Sequence, residues 1–135
     1  MKLFLLSCVL VLSSGLMSEA MAEDAAGSGT VPDATAPDIA HGKQIFDTIC
    51  SHCHHTDHTT SGVGAPGLLD VLDRHDEAWI NQWISGPEAF SQKDEKAKAL
   101  VEANPFGLIM PTLPEMQKEQ NREDIIAFLK TLKSK

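Results

Sequence analysis

The sequence predicts a single all-α domain, and three observations carry that prediction. Apolar residues recur at helical spacing over 38–49, 76–85 and 121–132. No strand-like alternation flanks the central cysteines, and a Cys-x-x-Cys-His run stands early in the stretch that these helices enclose. The interior also looks underfilled: aromatics make up 5% of the 135 residues and Tyr is absent. A domain of this size then needs something large and apolar to complete its core.

The run Cys50-Ser51-His52-Cys53-His54 supplies a reason. If the first helix continues through it, Cys50 and Cys53 lie one turn apart on one face, so two thiols can add to the two vinyl groups of a single porphyrin. His54, four residues after Cys50, shares that face and can bring its imidazole under the iron. The run therefore reads as a c-type haem attachment site. Two other readings stand beside it. A thioredoxin-like dithiol would need a strand-helix-strand context. A structural zinc site would usually take its ligands from two separated knuckles, whereas Cys50, Cys53, His52, His54, His55 and His58 all fall in one short segment. The histidine directly after the second cysteine favours haem, and His52, His55 and His58 are then simply surface residues.

With Met110-Pro111 well downstream and a final amphipathic helix, the chain from Asp38 to Lys133 resembles the class I c-type cytochromes. The resemblance implies a small fold whose N- and C-terminal helices cross beside a haem-filled core, with one covalently attached haem c. An attachment site near the N-terminus is unlike the four-helix cytochromes c', where it lies near the C-terminus. In the family a small residue and an aromatic on the first helix let it cross closely over the last one, which here points to Gly42 and Phe46, with Phe128 as their partner. The resemblance also makes the Pro66 carbonyl the acceptor for the second ring nitrogen of His54, which would fix the ring and strengthen it as a ligand. The alternative for Pro66 is plain loop rigidity.

The opening of the chain has the three parts of a secretory signal peptide: Met1-Lys2, the apolar run from Leu3 to Leu12, and Ala20-Met21-Ala22. The apolar run is short for a bilayer span, so cleavage after Ala22 is expected, which removes Cys8 and leaves Cys50 and Cys53. Export to the periplasm follows, with no stable membrane insertion. Residues 23–37, rich in Ala, Gly, Ser, Thr and Pro, read as a flexible leader, and 38–135 as the domain.

Asp38 is placed to cap a first helix running to Ile49, with Ile39, Gly42, Ile45, Phe46 and Ile49 along one stripe. Residues 55–69 form a loop around Pro66. A helix over 76–85 carries Trp79, Ile80, Trp83 and Ile84 and stops at Gly86-Pro87. Ser91 with Asp94 resembles a capping box for a helix through Ala97, Leu100 and Val101 that ends before Pro105. These two helices are expected to wall the haem. Trp83 and Arg74 are candidates to bond a haem propionate. The Pro-rich stretch from Pro105 to Lys118 predicts an ordered but irregular loop.

That loop contains Met110, whose thioether can complete the iron's axial pair, while Pro111 biases it toward extended backbone. Met116 is the rival, and core filling is the ordinary fate of either methionine. The family's ligand usually precedes a proline, which favours Met110. Asn121 with Asp124 is expected to open the last helix, whose stripe is Ile125, Phe128, Leu129 and Leu132.

His54 and Met110 together would leave the iron no vacant site, so the expected function is one-electron exchange between redox proteins and not catalysis. An open axial site, as in a haem sensor or peroxidase-like protein, is the alternative if Met110 is not a ligand. The net charge of −8 makes nucleic acid and anionic lipid poor partners and suits a redox partner with a basic docking patch. A monomer is expected. The acids fall in two groups, Asp70, Asp73, Asp76 and Glu77 in one, and Glu115, Glu119, Glu123 and Asp124 in the other.

Overall fold

The computed structural model describes residues 36–135, and every regular element among them is helical. The expected signal peptide and residues 23–35 of the leader lie outside the described residues. Six α-helices follow one another: α1 (Ile39–Thr48), α2 (Val71–Arg74), α3 (Glu77–Ser85), α4 (Pro87–Ser91), α5 (Glu95–Ala103) and α6 (Glu119–Leu129). Two 3₁₀ turns, Cys50–His52 and Pro114–Gln117, join them.

Asp38 caps α1 as the sequence predicts, its carboxylate accepting from the backbone N–H groups of Ala40 and His41 at 2.8 and 3.1 Å. Gly42, Ile45 and Phe46 face inward and meet α6. The crossing is as close as backbones allow, because a Cβ at Gly42 would collide with the Asp124 carbonyl. Phe46 and Phe128 meet in a tilted pair with centroids 5.3 Å apart. Phe128 is thus the partner of Phe46, while Gly42 is opposed by the backbone of Asp124 and Ile125.

The core joins Ile45, Phe46, Val71, Ile80, Ile84, Met116, Ile125, Ile126, Phe128 and Leu129. α3 packs on α6 and buries Ile80 and Ile84, and its two tryptophans stack at 5.6 Å on the core's margin. Trp79 also stacks on His75 at 4.0 Å and meets the ring of Phe90 edge-on.

Several helix signals act differently from what the sequence suggests. Pro87 does not merely stop α3; it occupies the first turn of α4, where its missing N–H costs nothing. Ser91 ends α4, so no capping box joins it to Asp94. Asp94 alone caps α5 through Ala97 N–H at 2.9 Å, and the same oxygen takes the Trp79 indole N–H at 2.9 Å. α6 starts at Glu119, two residues before the expected opening at Asn121, and Asp124 is not part of its cap.

Candidate functional site

α1 does not run on through the cysteines. It ends at Thr48, Ile49 turns away from helical backbone, and Cys50–His52 forms a tighter 3₁₀ turn. A 3₁₀ turn brings side chains three residues apart toward the same side, and three residues is the spacing of Cys50 and its cap Cys53. The Cys50 carbonyl accepts from the N–H groups of both Cys53 and His54, at 3.1 and 2.9 Å, which closes the turn around the histidine.

Cys50 and Cys53 form no disulfide. Cys50 is half-buried against the core, and burial, reinforced by the neighbouring Cys53, pushes its pKa up to about 11. A neutral sulfur, thiol or thioether, suits that position. Burial lowers the pKa of His54, more than its bond to Pro66 and the nearby His55 alter it. The neutral imidazole is the favoured form. Its Nδ1 lies 2.8 Å from the Pro66 carbonyl. A carbonyl only accepts, so Nδ1 carries the proton and Nε2 keeps its lone pair for a metal.

Pro66 belongs to a closely held segment. The N–H groups of Leu68 and Leu69 donate to the His55 and Asp57 carbonyls at 2.9 and 3.2 Å. Gly67 lies so near the backbone of 57–59 that a Cβ would strike the Asp57 carbonyl. Asp70, at φ 54°, adopts a left-handed conformation that Asp tolerates better than most residues. Its N–H donates to Leu132 O at 2.9 Å and its carboxylate accepts Ser134 N–H at 2.8 Å, which ties the C-terminal tail to this segment.

The two methionines have different surroundings. Met116 is 1% exposed in the core, inside the Pro114–Gln117 turn, and its carbonyl accepts from Arg122 at 2.7 Å. Met110 is half-buried at the core's edge. Two residues on, Thr112 gives both its N–H and its hydroxyl to Glu88, which links the methionine loop to α4.

Of the propionate candidates, Arg74 directs Nη1 to Leu69 O at 2.9 Å and Nη2 to Gly67 O at 2.8 Å. Trp83 stands half-buried in the aromatic stack. His52, His55 and His58 are exposed, His52 against Ile49 O at 3.0 Å and His58 near Asp70 at 3.4 Å. Among the described residues no three His, Cys, Asp or Glu side chains are grouped to hold a metal ion, so the zinc reading gains nothing from the geometry. A groove of about 690 Å³ lined by residues of α3 and α6, among them Asn81, Glu123 and Ile126, contains none of these residues.

The acidic groups are less open than their sequence positions imply. Asp124 is buried, Asp70 is half-buried, and Asp73 and Glu77 pair with Lys133 and Lys130. Sequence reasoning missed Asp124 and Glu88 as fastening residues. Each makes its key bonds far away in sequence, so no local signal marks them.

Fold and site define a small all-α domain with two cysteines three residues apart, followed directly by a histidine whose Nδ1 is engaged by a backbone carbonyl. The cytochrome c family profile matches residues 39–133, and the chain belongs to that family. It is 35% identical to cytochrome c2 of Rhodopila globiformis in an alignment 106 residues long that covers 71% of this chain and 94% of that protein. Among solved structures it is similar to a cytochrome c from Rhodothermus marinus, with a TM-score of 0.60 and 26% identity over 70% of this chain and 75% of that one. It is also similar to the cytochrome c domain of a Pseudomonas putida protein, with a TM-score of 0.56 and 32% identity over 67% of this chain and 85% of that one. The class I cytochrome fold and the covalent haem c expected from the sequence are thereby established, and the protein is a haem electron carrier.

Proposed function

We propose that this chain is an exported, periplasmic one-electron carrier in which Cys50 and Cys53 would hold the haem covalently and His54 and Met110 would ligate its iron. The observation that carries the reading is the 2.8 Å bond from His54 Nδ1 to Pro66, which leaves Nε2 as a fixed, neutral donor. Haem supplies a single reversible electron through the Fe(III)/Fe(II) couple. The protein's part would be to ligate the iron with His54 and Met110, exclude small ligands, and favour Fe(II) through a neutral thioether in an apolar setting. Residues 1–22 act as the export signal and 23–37 as the leader.

Met110 is favoured over Met116 because Met116 is committed to the core. Met110→Ala should abolish the weak near-infrared iron–sulfur absorption and let the reduced protein bind carbon monoxide. Met116→Ala should do neither, but should cost about 2–5 kcal/mol of stability as a buried truncation. The reverse spectroscopic pattern would transfer the ligand to Met116. Carbon monoxide binding by the unmodified protein would instead favour the sensor or peroxidase-like class.

A further inference from the structure

The Pro66–Leu69 segment is bracketed from two sides. On one side its N–H groups at Leu68 and Leu69 are used by the His55 and Asp57 carbonyls. On the other, its Gly67 and Leu69 carbonyls are taken by the two terminal nitrogens of one guanidinium, at 2.8 and 2.9 Å. That guanidinium belongs to Arg74 in the last turn of α2, a helix anchored in the core by Val71 and tied to the C-terminal tail through Asp70. Gly67 leaves the segment little room against the backbone of 57–59. Arg74 is the side chain that connects the acceptor segment of His54 to a helix.

We propose that Arg74 is a positioning residue for the histidine ligand: by bridging Gly67 O and Leu69 O it holds the Pro66 carbonyl where His54 Nδ1–H can donate to it. The inference rests on the reading of His54 as the iron ligand. A planar guanidinium suits the task, since two diverging N–H groups can take two carbonyls separated along a chain, whereas an ammonium is a point donor. The role needs Arg74's geometry and not only its charge. This separates it from the propionate role, which an ammonium could largely fill.

Two variants distinguish the roles in the haem-loaded protein. Arg74→Lys keeps the charge and loses the bridge, while Arg74→Gln loses both. The readout is hydrogen exchange of the His54 ring Nδ1–H by NMR in the reduced protein, beside the backbone amide of Ile125 as a reporter of global opening. Both variants should speed exchange of the ring proton by about tenfold, the scale of one lost hydrogen bond, with Ile125 unchanged. The proposal is overturned if Arg74→Lys leaves the ring proton at its original rate and only Arg74→Gln shifts the reduction potential, because charge then suffices. It is equally overturned if the ring proton and Ile125 accelerate together, because Arg74 then only stabilises the fold. If the oxidised unmodified protein shows no iron-shifted ring protons for His54, the axial reading itself fails and the inference with it.

Discussion

Asp124 is 2% exposed on α6, yet it is a carboxylate, so its burial has to be compensated. It accepts the Asp38 N–H at 2.7 Å, His41 Nδ1–H at 2.6 Å and the Gln120 amide at 2.9 Å. Two of these donors stand at the start of α1, so one carboxylate fastens the first helix to the last. Burial works to raise its pKa, but the hydrogen bonds from His41, Asp38 and Gln120 outweigh it and hold Asp124 below the ordinary carboxylate range. A depressed folded-state pKa means stability that is present above the unfolded value, about 3.9, and is lost as pH falls through the folded value. Asp124→Asn should therefore narrow the stability gap to the unmodified protein as pH drops below about 4. Denaturant titrations at several pH values check this by difference, which cancels the other acids. A gap that stays constant with pH would show that Asp124 contributes no charge-dependent stability.

The α1–α6 crossing depends on one missing side chain. Ala in place of Gly inside a helix ordinarily stabilises it by about 1 kcal/mol. At Gly42 the added methyl meets the Asp124 carbonyl, and backbone does not yield as a flexible side chain would. Gly42→Ala should reverse the usual sign and cost about 3 kcal/mol, the upper end of overpacking effects, by prying apart the Phe46–Phe128 pair as well. Urea unfolding of the haem-loaded variant is the measurement. A raised midpoint would mean that α1 shifts outward freely and that the close approach is incidental.

For the molecule as a whole, the protein's own core is small, with two phenylalanines, Phe46 and Phe128, as its only buried aromatics among the described residues. Haem supplies the missing apolar bulk, so folding and attachment should be coupled. Cys50→Ala with Cys53→Ala should give a chain with little helical circular dichroism, and a native-like spectrum would refute the coupling. The surface charge makes a second prediction. Lys130 and Lys133 pair with Glu77 and Asp73, but the net charge of −8 still sets the field at a distance. Electron-transfer rates with a basic partner should fall as salt shortens the Debye length from about 30 Å at 0.01 M to about 8 Å at 0.15 M. Stopped-flow kinetics across that range tests it, and a flat profile would assign docking to apolar contact alone.

The sequence by itself determined what depends on local spacing and on the chemistry of single residues. Cys50, Cys53 and His54 announce the cofactor because the Cys-x-x-Cys-His spacing is a local signal that needs no distant contact to be read. Asp38 announces a helix start because its cap reaches only two or three residues ahead, and the stripe over Ile45 and Phe46 announces a buried face because helical periodicity is local. Tertiary structure alone decided what depends on residues meeting from far apart. Asp124 reads as one more surface acid until α1 is laid across it, and Glu88 reads as a solvated helix residue until Thr112 arrives from the methionine loop. Met110 and Met116 lie in the same irregular loop, and only the packing of the Pro114–Gln117 turn against α6 buries one and leaves the other at the core's edge. Arg74 looked like a charge for a propionate because sequence gives its sign; its two bonded carbonyls exist only once α2 is fixed beside the Pro66 segment.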